Sequence, residues 1–173
     1  MNQVVTFREA LAEEASTLAL VNARAYAFRD GEPAPIIAEV DDILDIKERI
    51  SKPDVWTRVA TTGNKVVGFA LGYPRVDTES VDETIDTEYL SLLAVDPDFQ
   101  GHGTASQLLD LVAQDAITNG RDGLVLWTTE ADNEHARTFY ENRGFELTGS
   151  ERATKYGHQI EYRQNLLDDS TSL

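Results

Sequence analysis

From Leu92 to Ala105 the chain reads Leu-Leu-Ala-Val-Asp-Pro-Asp-Phe-Gln-Gly-His-Gly-Thr-Ala: an apolar run, a glycine turn, then an apolar-periodic stretch. This order predicts a strand that enters a helix through the turn. The first turn of such a helix carries unpaired N–H groups and the positive end of its dipole, all aimed at one place. A place of that kind binds anions, most often a phosphate or pyrophosphate. Gly101 and Gly103 let the backbone approach such a ligand with no Cβ in the way. A nucleotide-like cofactor is therefore expected. A Walker-type loop is excluded, because no lysine follows the glycines. The dinucleotide fingerprint G-x-G-x-x-G also fails, since Ser106 stands at its third glycine.

A second segment is Asn133-Glu134-His135-Ala136-Arg137-Thr138-Phe139-Tyr140-Glu141-Asn142-Arg143-Gly144-Phe145. Asn133 suits a helix N-cap and Gly144 the residue just past the helix end. Ala136, Phe139 and Tyr140 share one face at helical spacing.

Together the two segments resemble the GNAT superfamily of N-acetyltransferases. Gln100, Gly103 and Ala105 fill its signature Q/R-x-x-G-x-G/A, with Val95 and Pro97 in their usual places. Asn133, Ala136, Phe139, Tyr140, Gly144 and Phe145 fill its other signature, N-x-x-A-x-x-F-Y-x-x-x-G-F. The resemblance runs from about Thr6 to Leu166, and its specific part lies between Glu88 and Phe145.

This resemblance implies transfer of an acetyl group from acetyl-CoA to a primary amine, directly and within a ternary complex. The backbone from Gln100 through Gly101, His102, Gly103 and Thr104 to Ala105 would take the pyrophosphate. The backbone of Leu93, Ala94 and Val95 would pair with the pantetheine arm and supply an N–H donor for the oxyanion, a device typically worth several kcal/mol. Asn133 and Ala136 would line the pantetheine. His102 falls on a variable position and is read as lying near phosphate, without a catalytic role. Tyr140 stands where relatives place the general acid. A phenol near pKa 10 matches a departing alkyl thiolate well. Glu88 is the candidate general base, one residue out of the family's register, with Asp86 and a water chain as alternatives. No metal is expected.

Substrate choice in the family comes from the first helices with their loop and from the loop before the last strand. Here these are residues 26–35, the acidic stretch 76–86, and 154–158. A small-molecule amine is the expected acceptor, with a protein or peptide amine as a variant. A non-catalytic acyl-CoA-binding module is the reading from a different class. Relatives commonly dimerise, so the resemblance allows a homodimer.

The elements that would position these residues are legible in the spacing. Strands are predicted at Val4–Arg8, Val55–Thr61, Lys65–Leu71, Tyr89–Val95, Leu124–Thr129, Phe145–Gly149 and Gln159–Leu166. Helices are predicted over Ala10–Tyr26, Asp41–Ser51, Gly103–Asn119 and the segment after Asn133. Ile43, Ile46 and Ile50 should face inward, as should Ala105, Leu108, Leu109, Val112 and Ala116. The result is one mixed α/β domain over residues 4–167, with about seven strands flanked by about four helices and a frayed tail at 168–173.

At 173 residues the chain is long enough to bury a core without staples. It holds no cysteine, which excludes disulfides, thiolate metal sites and cysteine nucleophiles. A formal net charge of −16 argues against nucleic acid as a partner. No apolar run approaches the roughly 18 residues of a membrane span. With no signal peptide legible at residues 1–8, a soluble cytoplasmic protein is expected.

Overall fold

The computed structural model describes residues 4–76, 86–129 and 133–167, which form seven strands and four helices. In chain order these are β1 (Val5–Glu9), α1 (Ala15–Arg29), α2 (Val40–Ile50), β2 (Trp56–Thr62), β3 (Lys65–Val76) and β4 (Asp86–Val95), then α3 (Thr104–Thr118), β5 (Gly123–Thr129), α4 (Glu134–Glu141), β6 (Glu146–Thr154) and β7 (Gly157–Asn165). The strands hydrogen-bond in the order β1-β2-β3-β4-β5-β7-β6. β4 and β5 run parallel, whereas β1–β2, β2–β3, β5–β7 and β6–β7 are antiparallel. This is the mixed α/β class that the sequence predicts. The acidic residues 77–85 and the tail 168–173 lie outside the described residues, as does the side chain of Asp86.

Residues up to Tyr73 form one compact unit with Leu92–Val112. Its core gathers Leu18, Ala19 and Val21 from α1, Ile46 from α2, Val59 from β2, Phe69 and Leu71 from β3, and Ala94 from β4. Ile43 and Ile50 pack against this cluster, as their spacing requires. Helix α1 starts five residues later than predicted. Glu14 explains the delay: its carboxylate accepts from the Leu11 N–H at 2.7 Å and from both ends of the Arg8 guanidinium at 2.6 and 2.9 Å. Those bonds hold residues 12–14 in a 3₁₀ turn ahead of the helix. The hydrogen bond from Arg8 also holds the Glu14 carboxyl below its ordinary value. β2 and β3 form the predicted hairpin, in which Thr62 pairs with Lys65.

The described residues of Pro74–Ser91 and of the stretch from Ala113 onward form the second unit. Leu90, Leu124, Leu126, Phe145, Ile160 and Tyr162 are buried in it. β6 extends five residues beyond its predicted end at Gly149. Most of its residues are exposed, so the strand lacks the inward alternation that reveals a buried one. Thr154 pairs with Gly157, so within residues 154–158, predicted as a loop, only Lys155 and Tyr156 form the turn and the others belong to the paired strands.

Candidate active site

The first unit holds the glycine turn. β4 ends at Val95, a single 3₁₀ turn covers Pro97–Phe99, and α3 begins at Thr104. Gly101 and Gly103 have φ of 77° and 81°, the left-handed region that side chains disfavour. A Cβ built on Gly101 would meet nothing within 4 Å, and one on Gly103 only the Gln107 side chain at 3.7 Å. Gly101, His102 and Gly103 are exposed, so the turn presents its backbone outward. The carbonyl of Gly103 accepts the N–H of Gln107, which starts the helix. The N–H groups of Thr104, Ala105 and Ser106 therefore precede the first intrahelical donor. No acidic residue stands in the first turn of α3 to compete for them. An anionic diphosphate fits this arrangement.

Leu93 is half-buried, while Ala94 and Val95 are buried. The side chain of Gln100 turns back and donates to the Val95 carbonyl at 3.0 Å, closing the loop onto its strand. Thr104 is buried and Ala105 only half-buried, the reverse of the predicted inward position of Ala105. The cause is local: Ala105 sits in the first helical turn beside the exposed loop. Leu108, Leu109, Val112 and Ala116 are buried as predicted.

Sequence reasoning missed three residues that shape this loop. Gly68 on β3 lies so close to β4 that a Cβ there would stand 3.0 Å from the Ala94 carbonyl oxygen and 3.1 Å from Val95 Cγ2. Asp96 is buried; its N–H donates to the Val67 carbonyl at 2.8 Å, and its carboxylate accepts the Asp98 N–H at 3.0 Å. Arg24 on α1 binds that carboxylate through Nε at 2.9 Å and Nη2 at 3.3 Å. Arg24 and Asp96 are 72 positions apart, so spacing gives no sign of the pair. The available hint was one arginine within the apolar helix Leu18–Phe28.

The second unit holds the other motif. Asn133 occupies the position before α4, but its side chain makes no cap bond. Its Nδ2 instead donates to Thr128 Oγ1 on β5 at 2.9 Å, which corrects the expected capping role. The helix is tied to β7 through Tyr162, whose hydroxyl donates to Glu141 Oε1 at 2.7 Å and accepts from Arg137 Nε at 3.4 Å. Burial, and then the Glu141 carboxylate, push the Tyr162 phenol above its ordinary pKa. Gln164 adds a bond to the Arg143 carbonyl at 2.8 Å. On this anchored helix Ala136 and Tyr140 are half-buried. The Tyr140 ring packs edge-on against Phe139 and Phe145, at centroid distances of 5.3 and 5.5 Å.

Glu88 on β4 is buried, and Arg121 Nε donates to its Oε2 at 3.1 Å. The end of α3 places that arginine: the Arg121 N–H donates to the Ala116 carbonyl at 2.9 Å as the chain turns at Gly120. Burial without a partner would be costly for either charge, so each stabilises the other where it stands. Among the described residues no helix is long and apolar enough to cross a membrane.

The chain is similar to known proteins. A mycothiol acetyltransferase from Brachybacterium faecium is 31% identical over 160 residues, which is 88% of this chain and 44% of that protein. The chain thus spans less than half the length of that relative. A GNAT-family chain from Desulfovibrio desulfuricans has the same fold, with a TM-score of 0.73 and 22% identity over 95% of this chain and all of its own. So does the PaiA N-acetyltransferase from Thermoplasma acidophilum, solved with coenzyme A, at a TM-score of 0.68 and 16% identity, covering 94% of this chain and 99% of its own. Residues 16–145, more than half of the chain, match the acetyltransferase (GNAT) family itself. With both signatures present in order, the chain belongs to the acetyltransferase (GNAT) family.

Proposed function

We propose that this protein acetylates a primary amine of a small molecule, using acetyl-CoA as donor. The observation that carries the reading is the outward glycine turn between β4 and the uncrowded start of α3. That turn is built for a diphosphate. The relative named for mycothiol supports a small-molecule acceptor.

Bound acetyl-CoA would supply an acetyl group activated as a thioester. The N–H groups from Gly101 to Ala105 would hold its diphosphate, whereas that of Gln100, also expected to, is taken by the Pro97 carbonyl at 3.3 Å. The 93–95 backbone would pair with the pantetheine and donate to the carbonyl oxygen as it gains charge. Asn133 and Ala136 contact the pantetheine arm. His102, exposed at the loop apex, stands near phosphate. Transfer would join the amine nitrogen to the acetyl carbon as the carbon–sulfur bond breaks. Tyr140 gives its proton to the departing sulfur, and the proton lost by the amine leaves through water and restores the phenol. We read Glu88 as the fixed partner of Arg121 rather than as the base, because its carboxylate is buried and paired.

The test is thiol release from acetyl-CoA across a panel of small amines. The chain has no cysteine, so the protein itself adds no thiol signal. Release that depends on the amine supports the reading. Tight acetyl-CoA binding with turnover only on a peptide amine would move the acceptor to proteins, and no acetyl-CoA binding at all would overturn the reading.

A further inference from the structure

The structure assigns Arg24 as the positioning residue of the cofactor loop: its guanidinium holds the backbone after Asp96 in an anion-binding shape and offsets part of the charge of the two carboxylates beside it. The assignment rests on reading that loop as the seat of the acetyl-CoA diphosphate.

Asp96 and Asp98 precede Gln100 by four and two positions, in a chain whose formal charge is already −16. Two carboxylates beside a diphosphate site would repel the ligand unless something compensated them. Arg24 does so from α1. Nε and Nη2 reach the two oxygens of Asp96 at 2.9 and 3.3 Å, Nη2 reaches Asp98 Oδ2 at 3.1 Å, and Nη1 donates to the Pro35 carbonyl at 3.4 Å. The Asp96 side chain is only 5% exposed, so losing this partner would leave a buried carboxylate without its counter-ion. Asp96 in turn pins both flanks of the turn, through its own N–H to Val67 and its carboxylate to the Asp98 N–H. One planar, forked cation thus fixes the strand end, the 3₁₀ turn and the connection that follows α1. Lysine, a point charge, cannot reproduce that fork. Arg24 acts through Asp96 and Asp98, not by touching the cofactor.

The test separates loop shape from general damage by using two probes. Coenzyme A carries the diphosphate, and pantetheine lacks it. Coenzyme A affinity would be measured by calorimetry and pantetheine affinity by NMR titration, for wild type, Arg24→Lys and Asp96→Asn. Asp96→Asn is nearly isosteric and still accepts the Asp98 N–H, which guards against a variant that fails to fold. The expected result is roughly tenfold weaker coenzyme A binding in both variants, by analogy with the loss of one charge-assisted contact, with pantetheine affinity changed by no more than about twofold. Adding Asp98→Asn to Arg24→Lys should recover part of the loss, since one ammonium cannot hold both carboxylates as the fork does and the substitution removes one of them. Equal weakening of both probes, or no weakening of either, would overturn the assignment. A wild type that binds pantetheine but gains nothing from the diphosphate would instead overturn the reading of the loop, and coenzyme A binding by wild type that survives both substitutions would leave that reading standing and remove Arg24.

Discussion

At the scale of single residues, the two signature segments put different demands on the side chains they carry. Tyr140 sits on a face with Phe139 and Phe145 packed edge-on against its ring, which orients the phenol without burying it fully. Glu88 has a contrasting environment, buried and held by Arg121. If holding is its task, Glu88→Gln should cost about 2 kcal/mol of stability, the worth of a hydrogen bond to a charged group. The acidic limb of the kcat/KM profile should then stay where it was. Denaturant unfolding and a pH–rate series check both halves, and a lost acidic limb with unchanged stability would restore Glu88 as the base. Spacing singles out Tyr140, Asn133 and the loop glycines as candidates, because the motif fixes the position of each. It could not identify what Glu88 and Asn133 bond to, because Arg121 and Thr128 come to them only through the fold.

At the scale of elements, β4 is held to its place by what it lacks on the neighbouring strand. Gly68 leaves room for the Ala94 carbonyl and Val95, and Leu108 of α3 would stand 3.5 Å from any added Cβ. Gly68→Ala should therefore push the 94–95 backbone by a few tenths of an ångström and cost about 1–3 kcal/mol, the usual toll of overpacking. Turnover should fall as well, because that backbone is the proposed oxyanion donor. Thermal unfolding and steady-state kinetics on one preparation would show it, and a variant unchanged in both would mean that β4 tolerates the shift. The helices and central strands were readable from apolar periodicity. The late start of α1 was not, since it depends on Glu14 meeting Arg8 and the Leu11 N–H. The full length of β6 was hidden for the opposite reason: an exposed strand carries little pattern.

At the scale of the whole molecule, the charge of −16 is the dominant fact. An acidic chain repels an anionic cofactor at long range, while neutral N–H groups and a helix dipole attract it at contact. Salt screens the first effect more than the second, with a Debye length of about 30 Å at 0.01 M and about 8 Å at 0.15 M. Coenzyme A should thus bind somewhat tighter as salt rises between those concentrations, which calorimetry at the two ionic strengths can read. Binding that weakens steeply would point to lysine and arginine contacts instead. Transfer of acetyl to an amine, with Tyr140 protonating the departing thiolate, can be read in one comparison: amine-dependent thiol release from acetyl-CoA by wild type and by Tyr140→Phe. The wild type should turn over and the variant should lose about 10²-fold or more in kcat, the usual worth of a general acid, with acetyl-CoA affinity retained. A Tyr140→Phe protein as fast as wild type would contradict that role of Tyr140.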